Sequence, residues 1–305
     1  MTLSTVRAAR RPSVDAGPHS ADDPVAAWRA WRAARAAELR RPHGWLSLTG
    51  FAWLTREGIE VPGLPGRWSA DEDGVTLTAR PGDGLQAIGD LAAAGANPAA
   101  ELDPFVVPSD RAIVGTVHVP VPDGGSVVAV RHGDRRVELL RRAGRPAVRI
   151  RDPHAVTRTG FRGVPTSDWD ENWVLPARFV PSPEPVAEVV RTARPDLLTT
   201  AVTHGRLDFS VVDTPLSLAA TVGVDGGLTV AFRDRTNDVL TAPWRVLTTT
   251  APDERLQVTL DFNRSVNPPF AFTAFGTCPA PVADNRLPVA VTAGEQAPAA
   301  PGGAR

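Results

Sequence analysis

The chain of 305 residues contains no tyrosine and no lysine, and it has a single cysteine and a single methionine. Without lysine no Schiff-base chemistry is open to it, and without tyrosine no phenolic acid can protonate a leaving group. Every long cationic side chain is therefore an arginine, and every large aromatic is Trp or Phe. One cysteine excludes an intramolecular disulfide and a cysteine-held zinc. No HxH or HExxH spacing occurs, so no metal site is expected, and no motif indicates a cofactor. No glycine-rich loop opens a helix as phosphate loops do, and no serine sits in a nucleophile elbow. Apolar runs stop well short of a membrane span. A net charge of −1 provides no basic field for nucleic acid or anionic lipid. The first twenty residues carry Arg7, Arg10 and Arg11 without an apolar stretch. They do not read as a secretory signal, and a cytoplasmic location is expected.

What remains is an ordinary globular composition, 42% hydrophobic and 22% charged. Residues 1–23 lack periodicity and read as a disordered tail, and 296–305 read as a second one. Asp23 before Pro24 is a good N-cap with proline at the first helical position, which predicts a helix over 24–41. Val25, Trp28, Trp31 and Leu39 form its apolar stripe. Arg35 interrupts that stripe, so its guanidinium must reach water or a partner.

The span 42–295 has the texture of one antiparallel β domain, with short apolar runs between Gly, Pro and Asp turns and no βαβ alternation. Strand signals fall near Trp45–Leu54, broken at Gly50, and at Val75–Ala79, Ala112–Val119, Val127–Arg131, Arg136–Leu140 and Ala147–Asp152. His132-Gly133-Asp134 reads as a hairpin turn. The piece from Leu85 to Ala99 is ambiguous between loop and short helix. An irregular segment from Pro153 to Pro176 holds Phe161, Trp169 and Trp173, the last two as an apolar lid or as packed aromatics. Further strands are expected at Ala177–Val180, Asp208–Val212, Leu216–Val224, Leu228–Arg233 and Leu256–Phe262. The expected fold is mainly β, a single antiparallel β-sandwich or partly open β-barrel-like domain with the N-terminal helix packed on it.

The densest chemistry lies between Asp261 and Glu295. There three asparagines, two arginines and the diproline Pro268-Pro269 sit among apolar runs around Cys278. So many polar groups among buried-looking residues need internal partners or a ligand. Two readings stand. Asx side chains cap turns well, and an Arg–Glu pair can lock a loop. Alternatively the groups line a pocket for a small polar or anionic molecule. In that pocket Asp261 or Glu295 would be the acid/base group, Arg264 and Arg286 the clamp, and Asn263, Asn267 and Asn285 the donors. Asp234, Thr236 and Arg245 join this candidate ligand-binding set, or cap a turn. A small-molecule partner is thus expected, either as substrate or as the ligand of a non-catalytic barrel, beside a purely structural or partner-binding alternative. The six histidines are scattered, and Cys278 reads as an inert thiol.

The same block carries a resemblance. Asp261-Phe262-Asn263-Arg264, Asn267-Pro268-Pro269, Ala271-Phe272-Thr273, Thr277-Cys278-Pro279, Asn285-Arg286-Leu287 and Ala293-Gly294-Glu295 are similar to the signature of a prokaryotic family, domain of unknown function 1684 (DUF1684). Upstream, Gly44–Gly50 with Trp53-Leu54, Arg151-Asp152, Phe161-Arg162-Gly163 and Phe232–Thr236 resemble its other segments, so the likeness runs over roughly residues 28–296. The chain departs from that family where tyrosines give way to Val266, Phe275, Trp173 and Ala242, and where a cysteine becomes Phe270. Thr166-Ser167-Asp168 replaces an aromatic-Phe-Pro run. A tyrosine hydroxyl or cysteine-pair mechanism does not carry over to this chain, and the resemblance implies kinship without a reaction.

Overall fold

The computed structural model describes residues 23–88 and 112–298. Of the tails expected at 1–23 and 296–305, residues 1–22 and 299–305 lie outside the described residues, as does the later part of the ambiguous Leu85–Ala99 piece; Gln296 and Ala297 are held, donating their amides to the Pro165 and Leu240 carbonyls. The protein is mainly β with an N-terminal helix, and all pairings between its strands are antiparallel. Helix α1 spans Pro24–Leu39. The Asp23 carboxylate accepts from the amides of Val25 and Ala26, each at 3.0 Å, which is the N-cap that Asp-Pro predicts. Contacts gather into two compact units where the sequence suggests one β domain over 42–295. One runs from Leu39 to Phe161; the other joins α1 through Glu38 to the chain from Arg162 onward.

The first unit holds two sheets. Strands β1 (Leu48–Trp53), β4 (Leu85–Ala87), β6 (Ser126–His132), β7 (Arg135–Arg142) and β8 (Arg145–Arg151) form a sheet of order β1-β8-β7-β6-β4. Strands β2 (Arg67–Ala70), β3 (Gly74–Ala79) and β5 (Gly115–Pro120) form the other. Gly50 marks the expected break, because the β1–β8 register shifts between Leu48 and Gly50. A Cβ there would stand 2.9 Å from the Ile150 side chain. The two-residue turn Gly133-Asp134 joins β6 and β7, with Gly133 at φ 58°. Trp68, Val75, Leu77, Leu85, Val137 and Val148 centre the core.

Near the end of the first unit, Val156–Thr159 forms the single-turn helix α2 inside the segment expected to be irregular. That segment also ends sooner than expected, in a 3-10 turn at Glu171–Trp173 that leads directly into strand. The second unit is one six-stranded sheet of order β13-β12-β11-β10-β9-β14. Its strands are β9 (Val174–Arg191), β10 (Leu198–Val211), β11 (Thr214–Val222), β12 (Leu228–Phe232), β13 (Arg245–Thr248) and β14 (Gln257–Asp261). The sequence marks only Ala177–Val180 of the 18-residue β9 because Pro181, Pro183 and Pro185 break its pattern. They are tolerated because β14 pairs only Val174–Arg178, leaving the later part of β9 hydrogen-bonded on one side. Phe209, Leu218, Val230, Phe232, Leu260 and Phe262 make this unit's core. Trp173 packs at its margin, edge-on to Phe262 at 5.8 Å, with its indole N–H donated to Thr292.

Candidate functional site

The segment from Asp261 to Glu295 lies in the second unit, along the ends of β12 and β13 and under α1. It contains little regular structure, two 3-10 turns at Phe262–Arg264 and Pro269–Ala271, and so its backbone must find partners elsewhere. Asn285 supplies some of them. Strands β11 and β12 pair only at Thr221–Thr229 and Val222–Leu228 and then part. Into that gap Asn285 places a side-chain amide that behaves as a peptide group. It accepts from the Ala219 amide at 2.7 Å and donates to the Ala219 and Ala231 carbonyls, each at 2.8 Å. Its own carbonyl accepts from Arg233, and the Arg233 carbonyl accepts from Leu287, each at 2.8 Å.

Arg245 and Asp234 form the deepest charged pair, 2.8 Å apart with both side chains fully buried. The guanidinium also donates to the carbonyls of Val291 and Ala293, and Asp234 Oδ1 accepts from the Thr236 amide, the Thr236 hydroxyl and the Val291 amide. Burial pulls the Arg245 pKa below its ordinary value, against the opposing pull of Asp234. Thr236 closes the turn with Thr241 at 2.9 Å.

Glu295 is equally committed. One oxygen accepts from Arg35 Nε at 3.1 Å and the other from the Asn267 amide at 2.6 Å, while Arg35 also donates to the Asn267 carbonyl. Arg35 thus interrupts the apolar stripe of α1 because it reaches this carboxylate. Trp28 adds a bond from its indole N–H to the Asn263 carbonyl at 3.1 Å. The Asn263 amide group clasps Asp170, donating to its carbonyl and accepting from its N–H, each at 2.9 Å. Asp261 accepts from Asn263 and from Arg264, whose guanidinium lies 5.6 Å from the Trp31 ring.

Of the ten residues expected to form the site, Asp234, Thr236, Arg245, Asn263, Asn267, Asn285 and Glu295 are buried, and Asp261 and Arg264 half-buried. Arg286 is exposed, its backbone forming the bridge to Arg233. Cys278 is half-buried, and its carbonyl accepts from Ala193 at 2.8 Å. Among the described residues no three His, Cys, Asp or Glu side chains gather as a metal set.

Two residues of interest escape the sequence reading. Arg233 Nε and the Trp244 indole nitrogen are buried donors without an acceptor among the described residues. Arg245 Nε, Ser265 Oγ and Asn267 Oδ1 are unpaired in the same way. The signal available for the first pair was a Trp directly before a buried Arg in Trp244-Arg245, facing Arg233 across the β12–β13 hairpin.

Comparisons with known proteins agree with the resemblance of the block. Residues 159–296 match the model of a family described as "Protein of unknown function (DUF1684)". A solution NMR structure of an uncharacterized protein from Haloarcula marismortui is 28% identical, covering 46% of this chain and 78% of that one, with a TM-score of 0.38. No curated protein matches. Among the described residues no helix is long and apolar enough to cross a membrane.

Proposed function

We propose, on the premise that residues 159–296 form a region of the DUF1684 family, that the second unit binds a small polar molecule. In this reading the Asp261–Glu295 block is the frame of the binding site and not acid/base machinery. One observation carries it. Six buried side-chain atoms lack a hydrogen-bond partner among the described residues, and all but His132 Nδ1 belong to the block or to the β12–β13 hairpin beside it. Buried polar atoms are otherwise almost always satisfied, so such a concentration calls for a partner that the chain does not supply.

The two candidate carboxylates argue against proton transfer. Both Glu295 oxygens accept from Arg35 and Asn267, and both Asp261 oxygens accept from Asn263 and Arg264. A general base needs an oxygen aimed at substrate. A thermal-shift screen of polar metabolites against wild type and Ser265→Ala tests the reading. A class of compounds that stabilises wild type and stabilises the variant less supports it. A screen without a single stabilising compound overturns it.

That negative outcome belongs to the second reading, in which the block is purely architectural. The Asn285 amide favours it, because its three bonds all go to backbone of β11 and β12.

A further inference from the structure

Arg233, Trp244 and Phe270 lie together where the β12–β13 hairpin meets the block. Arg233 follows β12 directly and Trp244 precedes β13 directly, so they flank the paired residues Phe232 and Arg245. The Arg233 main chain is bonded on both sides, to Asn285 and to Leu287, and cannot swing away. The Phe270 ring stacks on the indole with centroids 3.9 Å apart and planes tilted by 32°. Phe270 is itself fixed by the 3-10 turn Pro269–Ala271 and by Gly276. A Cβ on that glycine would stand 3.2 Å from the Phe270 amide nitrogen.

The hydrogen-bonding character of this corner has one sign. Trp244 is 6% exposed and its indole nitrogen has no acceptor; Arg233 Nε is likewise buried and unpaired. The guanidinium carbon lies 5.8 Å from the indole centroid, and no carboxylate pairs with Arg233 among the described residues. The adjacent Asp234 does not serve it, because its oxygens accept from Arg245, Thr236 and Val291. A water satisfies a donor but leaves the cation uncompensated, whereas an oxyanion answers both. With the guanidinium carbon 5.8 Å from the indole centroid, one carboxylate or phosphate group at about 2.9 Å from each donor is large enough to engage both side chains. Arg233 and Phe270 are half-buried, so each keeps part of its surface at solvent, and the Phe270 ring can carry an apolar remainder of the ligand.

We infer that Arg233 and Trp244 form an oxyanion subsite for the carboxylate or phosphate group of a small molecule. Arg233 supplies the charge, the indole N–H a directed donor, and Phe270 the apolar wall. The inference deepens the binding reading above and rests on it.

The test follows the indole N–H signals of ¹⁵N-labelled protein during titration with sodium benzoate, inorganic phosphate and, as control, sodium chloride. Trp244→Phe assigns the signal. The Trp244 peak is expected to move saturably with benzoate, phosphate or both, and Arg233→Gln is expected to weaken that response about tenfold. Unchanged remaining indole peaks establish that the variant is folded. A response to benzoate alone assigns the subsite to carboxylates, to phosphate alone to phosphate esters, and to both to the shared oxyanion. No saturable movement, movement reproduced by chloride, or undiminished affinity in Arg233→Gln overturns the subsite. If metabolites stabilise the protein while the Trp244 peak stays still under both anions, binding by the second unit stands and the oxyanion subsite falls.

Discussion

Each unit buries arginine against a carboxylate, and the two arrangements serve different ends. In the first unit Glu138 on β7 receives Arg149 at 3.3 Å and Arg151 at 2.6 Å from β8. Those guanidiniums lie 5.6 and 5.3 Å from the Trp45 ring, and Arg151 also donates to the carbonyls of His43 and Gly44. Every partner stands on adjacent strands or the turn leading into β1, so the cluster tightens a sheet that exists without it. In the second unit Arg245 and Asp234 hold Val291 and Ala293, residues with no ladder of their own. The same chemistry there substitutes for secondary structure. Among the described residues, unpaired buried donors and acceptors gather around the second arrangement, apart from His132 Nδ1. A buried ion pair says little about function by itself; what it organises, and what is left unpaired beside it, says more.

The comparison breaks most sharply at Asp234. Asp234→Ala strands a fully buried guanidinium and is expected to cost about 3–5 kcal/mol in denaturant unfolding, enough to threaten folding. Glu138→Ala leaves two arginines, but Arg151 is partly exposed where Arg245 is fully buried, so its expected cost is about 2–4 kcal/mol. Equal or reversed costs would erase the distinction between a cluster that builds structure and one that tightens it.

A pH titration sharpens the same contrast. Burial raises the Glu138 pKa, but Arg151 and Arg149 together outweigh burial and hold it below the ordinary glutamate value of 4.5. A depressed folded-state pKa means that the stability from this group is complete above the unfolded value and drains away as pH falls through the folded one. Glu138→Gln should therefore lose less stability than wild type between neutral and acid pH, measured by denaturant midpoints.

Asn285→Ala removes three bonds to strand backbone and is expected to cost about 1–3 kcal/mol, read as a lower melting temperature. The smallest effect belongs to Arg286→Ala. Its exposed side chain predicts a change within about 0.5 kcal/mol, despite its place in the most distinctive sequence block.

The sequence disclosed the parts that local physics dictates. Asp23-Pro24 capped a helix, Gly50 broke a strand, and Gly133-Asp134 turned a hairpin, each through backbone preferences within a few residues. Strand β9 was under-read because its prolines are permitted only by a missing neighbour, a fact of sheet topology. β13 carried too few residues to signal itself. At the candidate site, the density of Asn and Arg drew attention to the block but could not separate donors spent on backbone from donors left over. Asn285 and Arg233 look alike in sequence, both polar and next to apolar runs. One completes three bonds between parting strands, and the other retains an unpaired Nε. Partners such as Arg35 for Glu295, 260 residues apart, are fixed only once the chain has folded.

The central claim, that the block's carboxylates are frame while its unpaired atoms bind, is tested most directly by calorimetric titration. A compound from the metabolite screen would be titrated into wild type, Asp261→Asn and Asn267→Ala. Affinity close to wild type in Asp261→Asn, with a loss of about tenfold in Asn267→Ala, is the predicted result. Binding abolished by Asp261→Asn and untouched by Asn267→Ala would contradict it.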